Sequence, residues 1–599
     1  MKKRLIFHEQ WDAKYIPQEI LFAQLTTPRS ISTLRIYFYS VCINIIHHII
    51  LNDYSVMDLL TKYDILFSNK RSIFMKNKTQ LYGLITSLIL AAGLYFVFLP
   101  PINPTSFEFW MFLWISLVPW LLTFSVDMSF QKKWKSIPLM IAAFAGSIVL
   151  VMAIVFVSSP IFNANEYSER INLIESDFSD VNEVDFNKVA IIDRDSTMVL
   201  GDRTLGQLPE LISQFEVSNI YSQISYKDSI VRVTPLDYNG LIKYLTNSKE
   251  GIPGYIIVNA TTGKSELVKL ENLGLDGIRY SENAILFEDR DRHLRFAYPF
   301  DNFYETNFEI DENGVPYWIT STVSYKGIGQ KPTITGVIAM NAIDGTMTKY
   351  TVGNIPEWID RVYASNLIIE QVDQSGLYIH GYINSIFGQR DVYQTTEGYN
   401  YIELNDDIWL YTGITSVNAD ESNIGFVLIN QRTQEAKKIM SSGAEEYSAM
   451  SSAEGKVQHL GYRSTFPLLI SVGGRPTYLV SLKDNAGLVK MYAMIDCEDY
   501  QQVVTVDKDK GLDYLKSQYI SSMNIIDVDN VEEKEITVNQ VSYVNISGDT
   551  YVYVKDNEGN IYKAYITVNE KILPFLTQGD VVTVKYTKSD LNSVMEIKK

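Results

Sequence analysis

The apolar residues of this chain follow two patterns, long uninterrupted runs near the start and short alternating stretches after them. The runs are Leu81 to Leu99, Phe109 to Val126 and Ile137 to Val157, and none of them contains Asp, Glu, Lys or Arg. A helix that crosses a bilayer needs about 20 consecutive apolar residues. The pattern therefore predicts a membrane anchor of three helices over residues 75–159.

The charges between the runs predict the orientation of this anchor. Lys132, Lys133 and Lys135 lie between the second and third runs, whereas Pro100 to Glu108, between the first and second, contains no Lys or Arg. Cytoplasmic loops carry the excess of Lys and Arg. We therefore expect a protein of the cell membrane with a cytoplasmic N-terminus and extracellular C-terminal domains. Pro119 in the second run predicts a kink or a helix boundary.

Residues 1–74 do not share the pattern of the rest. Met75-Lys-Asn-Lys followed by an apolar run is an ordinary beginning for a bacterial inner-membrane protein, and Lys70 to Phe74 is compatible with a purine-rich ribosome-binding site in the gene. The sequence favours translation from Met75, with 1–74 as an untranslated extension. The alternatives are a cytoplasmic tail and a fourth hydrophobic segment at Ile36 to Leu51.

Alternation of apolar and polar residues predicts that most of residues 160–599 is β-structure. Shifts in the pattern divide this part into a β-rich domain at 160–355, an α+β domain at 356–525 and a small β-barrel at 526–599. The polar segment Ile161 to Phe186 predicts a helical stalk that leaves the membrane. The predicted fold class is a membrane-anchored α+β protein, in which three transmembrane helices precede a mainly β, multi-domain extracytoplasmic region.

One short unit recurs in the extracytoplasmic part, an apolar strand followed by a turn that begins with Asn. It is clearest at Asn259 and Asn341, each of which has Gly four residues later, and weaker at Asn430 and Asp484. Asn, Asp and Gly readily adopt the positive φ angles that hairpin turns require. Genuine duplication and repeated use of a common hairpin both explain the pattern.

Two segments resemble known small domains. Ser442 to Gln458 has apolar residues at helical spacing and is followed by strands as far as Ile495, an order that resembles PepSY-type domains over residues 443–500. Leu576 to Val584, with Gly579-Asp580, resembles the entry into a late strand of OB-like barrels. Such barrels bind oligonucleotides or oligosaccharides.

Four tyrosines on the predicted strands of the barrel are the candidate ligand-binding residues. Their rings would offer stacking faces to a sugar, and the alternative is that they are ordinary strand residues, half of them in the core. The four residues are Tyr551, Tyr553, Tyr562 and Tyr565.

As a whole, residues 75–525 resemble an uncharacterised family of membrane-anchored, β-rich surface proteins of Gram-positive bacteria. The resemblance is carried by Gly251 to Tyr255, Ile368 to Asp391 and Gly443 to Lys456. It implies a place in the cell envelope and brings no known activity or catalytic residues.

The composition and the motifs of the chain limit the kinds of partner and of chemical site that we expect. The formal net charge of −18 argues against nucleic-acid partners bound through a general basic surface. Cys497 is the only cysteine after the membrane runs, so no intrachain disulfide is expected there, and its acidic neighbours disfavour the thiolate. His293 and the Asp507-x-Asp509 pair lack metal-ligand spacing. We expect no catalytic residues, no cofactor and no metal site.

The sequence favours a non-enzymatic role, in which the anchor presents β-rich domains to a partner protein or a cell-wall glycan. One alternative is an envelope enzyme of the glycan hydrolase type, with an Asp/Glu pair assembled from distant segments. Another is a subunit of an envelope membrane assembly. Small residues such as Gly83, Gly93 and Gly146 would serve helix packing in such an assembly, or within the anchor itself.

Overall fold

The computed structural model of the 599-residue chain describes residues 78–178, 186, 189–227, 229–404, 407–416, 422–523, 531–546, 549–587 and 592–599. The predicted extension at 1–74 and the start at Met75 lie outside these residues. The chain divides into two compact units, Met1–Pro100 with Phe107–Val149, and Pro101–Ser106 with Leu150–Lys599.

The first unit contains the predicted apolar helices, α1 (Lys78–Phe98), α2 (Phe107–Phe130) and the start of α3 (Ser136–Val157). All three are long and apolar enough to cross a membrane. Pro119 lies inside α2 and does not mark a boundary. The backbone N–H of Trp120, the residue after Pro119, donates a hydrogen bond to Ser87 Oγ of α1 at 3.0 Å. A hydroxyl group of the neighbouring helix thus satisfies a backbone N–H next to the proline.

Small and polar residues hold α1 against α2. A methyl group at Gly83 would lie 1.8 Å from Thr123 Oγ1, so this close approach needs glycine. Gln80 donates to the buried carboxylate of Asp127 at 3.1 Å. By contrast, a methyl group at Gly93 or Gly146 would meet no described atom within 4 Å. Only the first of these glycines is therefore used for packing among the described residues.

A short segment, α4 (Pro160–Ser168) and β1 (Leu173–Ser176), follows α3 where the sequence predicts a stalk. The structure places this segment on the folded part instead. The Tyr167 hydroxyl lies 2.9 Å from Gln330 Oε1, and Arg170 donates to Gln374 Oε1 at 2.6 Å. Over its described residues the stalk prediction is therefore wrong.

Residues 194–507 contain four copies of one structural unit, a helix followed by an antiparallel sheet. The first repeat consists of α5 (Arg194–Gly206), α6 (Pro209–Ile212), β2 (Phe215–Val217), β3 (Ser222–Tyr226), β4 (Ser229–Tyr238), α7 (Leu241–Asn247), β5 (Gly254–Asn259) and β6 (Ser265–Lys269). The second consists of α8 (Arg290–Ala297), β7 (Asn302–Ile310), β8 (Pro316–Tyr325), β9 (Pro332–Asn341) and β10 (Met347–Thr351).

The third repeat consists of α9 (Ser365–Leu377), β11 (Tyr393–Thr395), β12 (Asn400–Leu404), β13 (Asp407–Ser416), β14 (Ser422–Asn430) and β15 (Ala436–Ala444). The fourth consists of α10 (Glu446–Lys456), β16 (Arg463–Ser464), β17 (Leu468–Val472), β18 (Arg475–Lys483), β19 (Val489–Asp496) and β20 (Val503–Asp507), and α11 (Gly511–Met523) follows it. The predicted order of helix and strands at 443–500 is thus observed, and three earlier segments share it.

The four sheets have the same strand order. A long second strand pairs with the third, and the third pairs with the fourth, as in β4-β5-β6 and β18-β19-β20. In the first, third and fourth repeats, two short strands share the edge of the long one. In the second repeat one continuous strand, β7, occupies this edge with a register shift between Phe303 and Thr306. β1 extends the third sheet by pairing in parallel with β15.

The turn after the third strand is the most regular feature of the repeat. Oδ1 of Asn259, Asn341 and Asn430 accepts the backbone N–H groups two and three residues further along the chain. Asp496 fills this position in the fourth repeat. The weaker copy predicted at Asp484 is also a turn between two strands, β18 and β19, but it lies one turn earlier than the equivalent position in the other repeats.

Successive sheets pack face to face. Neighbouring residues of a strand point to opposite faces, so Trp318 of β8 packs towards the first sheet while Ile319 packs towards the third. In the same way Leu410 of β13 faces the second sheet and Tyr411 faces the fourth. The second and third sheets are therefore buried on both faces.

The first repeat also contacts the third and fourth. Ile230 of β4 and Ile408 of β13 share a small apolar cluster, and Asp193 forms an ion pair of 2.6 Å with Lys483 of β18. These contacts bring residues from all four repeats around one cleft.

The last strands form a closed barrel of five, β21 (Val531–Ile546), β22 (Asp549–Asp556), β23 (Ile561–Tyr565), β24 (Val581–Thr587) and β25 (Asn592–Lys598). The order around the barrel is β21-β22-β23-β25-β24, and β23 pairs with β25 in parallel. Its core is separate from those of the repeats.

Candidate ligand-binding site

The cleft among the four repeats has a volume of about 620 Å³. Its lining combines four cationic side chains with three carboxylates, in a chain whose net charge is −18. The residues that the following paragraphs use are Asp193, Tyr221, Gln223, Arg232, Glu305, Arg361, Tyr399, Tyr401, Phe466 and Lys483.

Arg232 lies on β4 and is only 5% exposed. Its guanidinium donates to the carbonyl oxygen of Ile192, to Thr197 Oγ1 at 3.2 Å and to Gln223 Oε1 at 2.8 Å. These acceptors are all neutral, and burial lowers the pKa of Arg232 to about 10. A buried cation without a bound carboxylate among the described residues is costly, and an anion in the cleft would offset this cost.

Arg361 faces the same cleft from the segment between the second and third repeats and is 8% exposed. Its guanidinium carbon lies 5.0 Å from the centre of the Tyr401 ring, within the range of a cation–π contact. Although burial opposes it, Tyr401 and Glu305 raise the pKa of Arg361, so the side chain is charged. The positive charge of Arg361 also lowers the pKa of Arg232, so the two positively charged side chains lie near each other in the cleft.

The buried carboxyl group of Glu309 holds the backbone of Arg361 in place. Glu309 of β7 accepts the backbone N–H of Asp360 at 3.0 Å and that of Arg361 at 3.1 Å. Burial raises the pKa of Glu309 to about 7. Burial and the neighbouring Glu309 raise the pKa of Asp360 as well. At least one proton is therefore retained by this pair at moderately acidic pH.

The ion pair between Asp193 and Lys483 forms another wall of the cleft. Asp193 is the N-cap of α5 and also accepts the backbone N–H of Ser196 at 3.2 Å. Burial raises its pKa, but the hydrogen bonds from Lys483 and Ser196 outweigh this, and the pKa of Asp193 lies below its ordinary value. Asp193 is thus an ionised structural group that joins the first and fourth repeats.

Several buried polar atoms of the lining find no hydrogen-bond partner among the described residues. They are Tyr221 Oη, Gln223 Nε2, Glu305 Oε2 and Arg361 Nε. Such atoms are rare in proteins because each costs about 1–3 kcal/mol when left unpaired. The set offers donors to an anionic group and, in Glu305, an acceptor for a hydroxyl group.

Aromatic rings form another part of the lining. Tyr399 is 43% exposed and packs edge-on against Tyr401, with ring centres 5.6 Å apart. Phe466 reaches this wall because residue 398 is glycine. A methyl group at Gly398, whose φ is +99°, would lie 2.7 Å from the Phe466 ring. The cleft therefore combines a charged wall with an aromatic one.

Sequence reasoning missed this cleft, although one indication was present. Arg232 is a charged residue within an apolar strand, Ile-Val-Arg-Val at 230–233, and charged residues are rarely fully buried unless they are paired. Arg361 carries no comparable local feature. The two are 129 positions apart in the chain, and only the packing of the repeats brings them together.

The structure divides the four tyrosines predicted to bind a ligand. Tyr551 and Tyr565 are cross-strand neighbours with ring centres 5.4 Å apart, and Tyr553 lies on the same outward face of β22. Tyr562 points into the barrel, where it is 1% exposed and packs against Tyr586. The prediction that Tyr562 stacks against a ligand is therefore wrong, because the alternation of side chains along the strand places it on the inner face of the barrel. For the other three the role stays a prediction.

The remaining polar groups considered in the sequence have structural roles. His293 Nε2 lies 3.0 Å from the carbonyl oxygen of Gly345. Burial, and then Asp496, raise the pKa of Cys497 well above its ordinary value. Within the described part of the chain, no group of three or more His, Cys, Asp or Glu side chains could hold a metal ion.

Comparison with known proteins gives no family for this chain. No protein-family model matches it, and no curated protein does. A search of solved structures finds the crystal structure of alpha-L-arabinofuranosidase from Lactobacillus brevis, at 9% sequence identity and a TM-score of 0.15, with 63% of this chain and 94% of that chain covered. A TM-score this low carries no information about fold or activity.

Proposed function

We propose that the protein is a membrane-anchored receptor of the cell envelope, which binds an anionic glycan in the cleft among its four repeats and does not modify it. The observation that carries this proposal is the pair of buried arginines, Arg232 and Arg361, which face one cleft. Among the described residues, neither guanidinium donates a hydrogen bond to a carboxylate.

The other lining residues support a sugar as the scaffold of the ligand. Gln223 and Tyr221 provide neutral polar atoms, Glu305 provides an acceptor, and Tyr399 provides an exposed ring. Binding sites commonly combine apolar and aromatic walls with a few polar groups that fix orientation. A sugar bearing a carboxylate or a phosphodiester satisfies both the donors and the acceptor.

The connection between α1 and α2 supports the proposed orientation. The Ile102 N–H donates to the carbonyl oxygen of Pro299 at 2.7 Å, and Asn103 donates to that of Phe300 at 2.9 Å. This connection and the repeats therefore belong on the same side of a bilayer. Its lack of Lys and Arg, against three lysines between α2 and α3, favours the extracellular side.

The barrel offers a second sugar contact. Its strand order, with a long first strand that pairs with both the second and the fourth, supports the OB-like assignment, and OB-like barrels include oligosaccharide binders. Lys563 Nζ lies 4.3 Å from the centre of the Tyr551 ring on the same face as Tyr565. An extended glycan would reach this face independently of the cleft.

A hydrolase remains the alternative, because Glu305 and Asp193 line one cleft. A glycan hydrolase requires a carboxylic acid of raised pKa beside a second, ionised carboxylate. Asp193 is committed to Lys483 and Ser196, so it is poorly placed for either role. Of the three carboxylates in the lining, this leaves Glu305 and Asp195 as the pair that a hydrolase would use.

The experiment is a titration of the full chain in detergent with three probes of equal length. These are a uronic acid oligosaccharide, its carboxyl-reduced neutral form and a phosphodiester-linked sugar oligomer. We expect saturable binding of at least one anionic probe and none of the neutral one. Release of new reducing ends that Glu305→Gln abolishes would establish the hydrolase instead, and equal binding of the neutral probe would contradict an anion site.

A further inference from the structure

Two clusters of large apolar side chains lie exposed on the part of the structure formed by Leu150–Lys599 and Pro101–Ser106. The first patch consists of Leu241, Ile242, Leu245, Phe287, Phe296 and Phe300. The second patch consists of Ile379, Ile383, Ile386 and Phe387. Ile242 is 73% exposed, Phe300 66% and Phe387 80%. Soluble surfaces rarely keep such contiguous patches in water.

The first patch is tied to the connection between the first two candidate spans. Phe300 and its neighbour Pro299 accept hydrogen bonds from Asn103 and Ile102. These donors follow the end of α1 at Phe98 by only a few residues. The patch therefore lies close to the point where the chain leaves the apolar spans.

Contacts within the first patch hold its residues close to one another. The rings of Phe287 and Phe296 have their centres 6.3 Å apart. The Tyr244 hydroxyl donates to Glu288 Oε2 at 2.6 Å, which fixes α7 beside Phe287. Lys243 lies between the aliphatic residues of α7, an arrangement typical of helices that lie in a membrane interface.

The second patch is tied to the end of the third candidate span. Ser158 directly follows α3, and its carbonyl oxygen accepts the Tyr167 hydroxyl at 3.0 Å. The Tyr167 ring packs edge-on against Tyr378, with centres 6.2 Å apart. Ile379 follows Tyr378 directly. Two contacts, that of Ser158 with Tyr167 and that of Tyr167 with Tyr378, therefore connect the second patch to the end of α3.

We propose that both patches insert into the interfacial layer of the bilayer that the three helices span. The bilayer is the occupant because each patch is held beside the chain segment that enters or leaves a span, and because aromatic and aliphatic residues favour this layer. This inference is independent of the ligand in the cleft.

The test is lipid-dependent fluorescence of the full chain reconstituted in vesicles of phosphatidylglycerol and phosphatidylethanolamine. An environment-sensitive dye is attached in separate proteins to Phe300→Cys, to Phe387→Cys and to the control Phe575→Cys, each with Cys42→Ser. Cys497 is buried and has a raised pKa, so it does not compete for the label. Phe575, in the barrel, is 73% exposed and matches the test positions.

We expect blue-shifted emission at positions 300 and 387, and quenching of both when the acyl chains are brominated, while position 575 behaves as in water. Water-like emission at 300 and 387 would overturn the proposal. A blue shift without quenching by brominated lipid would also overturn it, because protein would then cover the patches. Quenching at 575 to the same extent would show that the contact is not specific. Resistance of each labelled protein to trypsin checks that it is folded.

Discussion

At the scale of single residues, a buried carboxyl group positions a buried cation. Glu309 is fully buried and accepts two consecutive backbone N–H groups, the second of which belongs to Arg361. The guanidinium itself contacts Tyr401. Glu309 therefore acts on the cleft through the backbone rather than by touching a ligand.

The raised pKa of Glu309 predicts a dependence of stability on pH. Between its ordinary value of 4.5 and about 7, the folded state binds the proton more tightly than the unfolded state, so stability falls as the pH rises through this window. We expect Glu309→Gln to reduce the loss in unfolding temperature between pH 4.5 and pH 7, whatever its effect at a single pH. Equal losses in both proteins would show that Glu309 does not titrate in this range.

Single residues also show what the sequence could predict. The Asn at the start of each turn was identified at positions 259, 341 and 430, because its hydrogen bonds are local. Its fourth counterpart, Asp496, was missed because Cys-Glu-Asp-Tyr follows it without glycine. Gln434, with a φ of 64°, likewise occupies the position of Gly263 and Gly345.

At the scale of elements, the recurring turn makes different demands on its glycine. Gly263 and Gly345 stand at equivalent positions with φ of 74° and 75°. A methyl group at residue 263 would meet its nearest neighbour at 3.6 Å, whereas one at 345 would lie 2.4 Å from the Tyr280 ring. Both turns require a residue that tolerates a positive φ angle. Of the two, only the turn of the second repeat also lacks room for a methyl group.

This contrast predicts unequal effects of the same substitution. Gly263→Ala should cost about 1–2 kcal/mol, the strain of an L-residue in the left-handed region. Gly345→Ala should cost about 1–3 kcal/mol more, because the added methyl group overpacks against Tyr280. Thermal unfolding of the two full-length variants measures the difference. Equal unfolding temperatures would contradict the additional steric cost at residue 345.

Elements with a strong local pattern were predicted well, and those fixed by tertiary contacts were not. The three apolar runs became α1, α2 and α3, since length and apolarity alone determine such helices. The stalk prediction failed because polar composition does not reveal that Arg170 and Tyr167 bind later segments. The number of repeats was also hidden, because the connections between equivalent strands differ in length.

At the scale of the whole molecule, the cleft is a product of the arrangement of repeats. Four sheets with one strand order stack successively, and the Asp193–Lys483 pair joins the first repeat to the fourth. The cleft exists only where the repeats meet, and the sequence therefore indicated a folded, β-rich part of the chain without indicating the residues that line the cleft.

The measurement that tests this account most directly is the affinity of the full chain for the anionic oligosaccharide, compared between the native protein, Arg361→Gln and Arg390→Gln. Arg361→Gln removes a charge from the cleft, whereas the side chain of Arg390 is 82% exposed elsewhere. Tyr399→Ala provides a second cleft variant at an exposed position, should Arg361→Gln fold poorly.

Charge-assisted hydrogen bonds contribute about 1.5–3 kcal/mol, so we predict that Arg361→Gln weakens binding roughly 10-fold to 100-fold while Arg390→Gln leaves it unchanged. Tyr399→Ala should weaken binding of the same probe. If both cleft variants bind as tightly as the native protein, or if Arg390→Gln weakens binding equally, the anion is held elsewhere and the proposed receptor site is wrong.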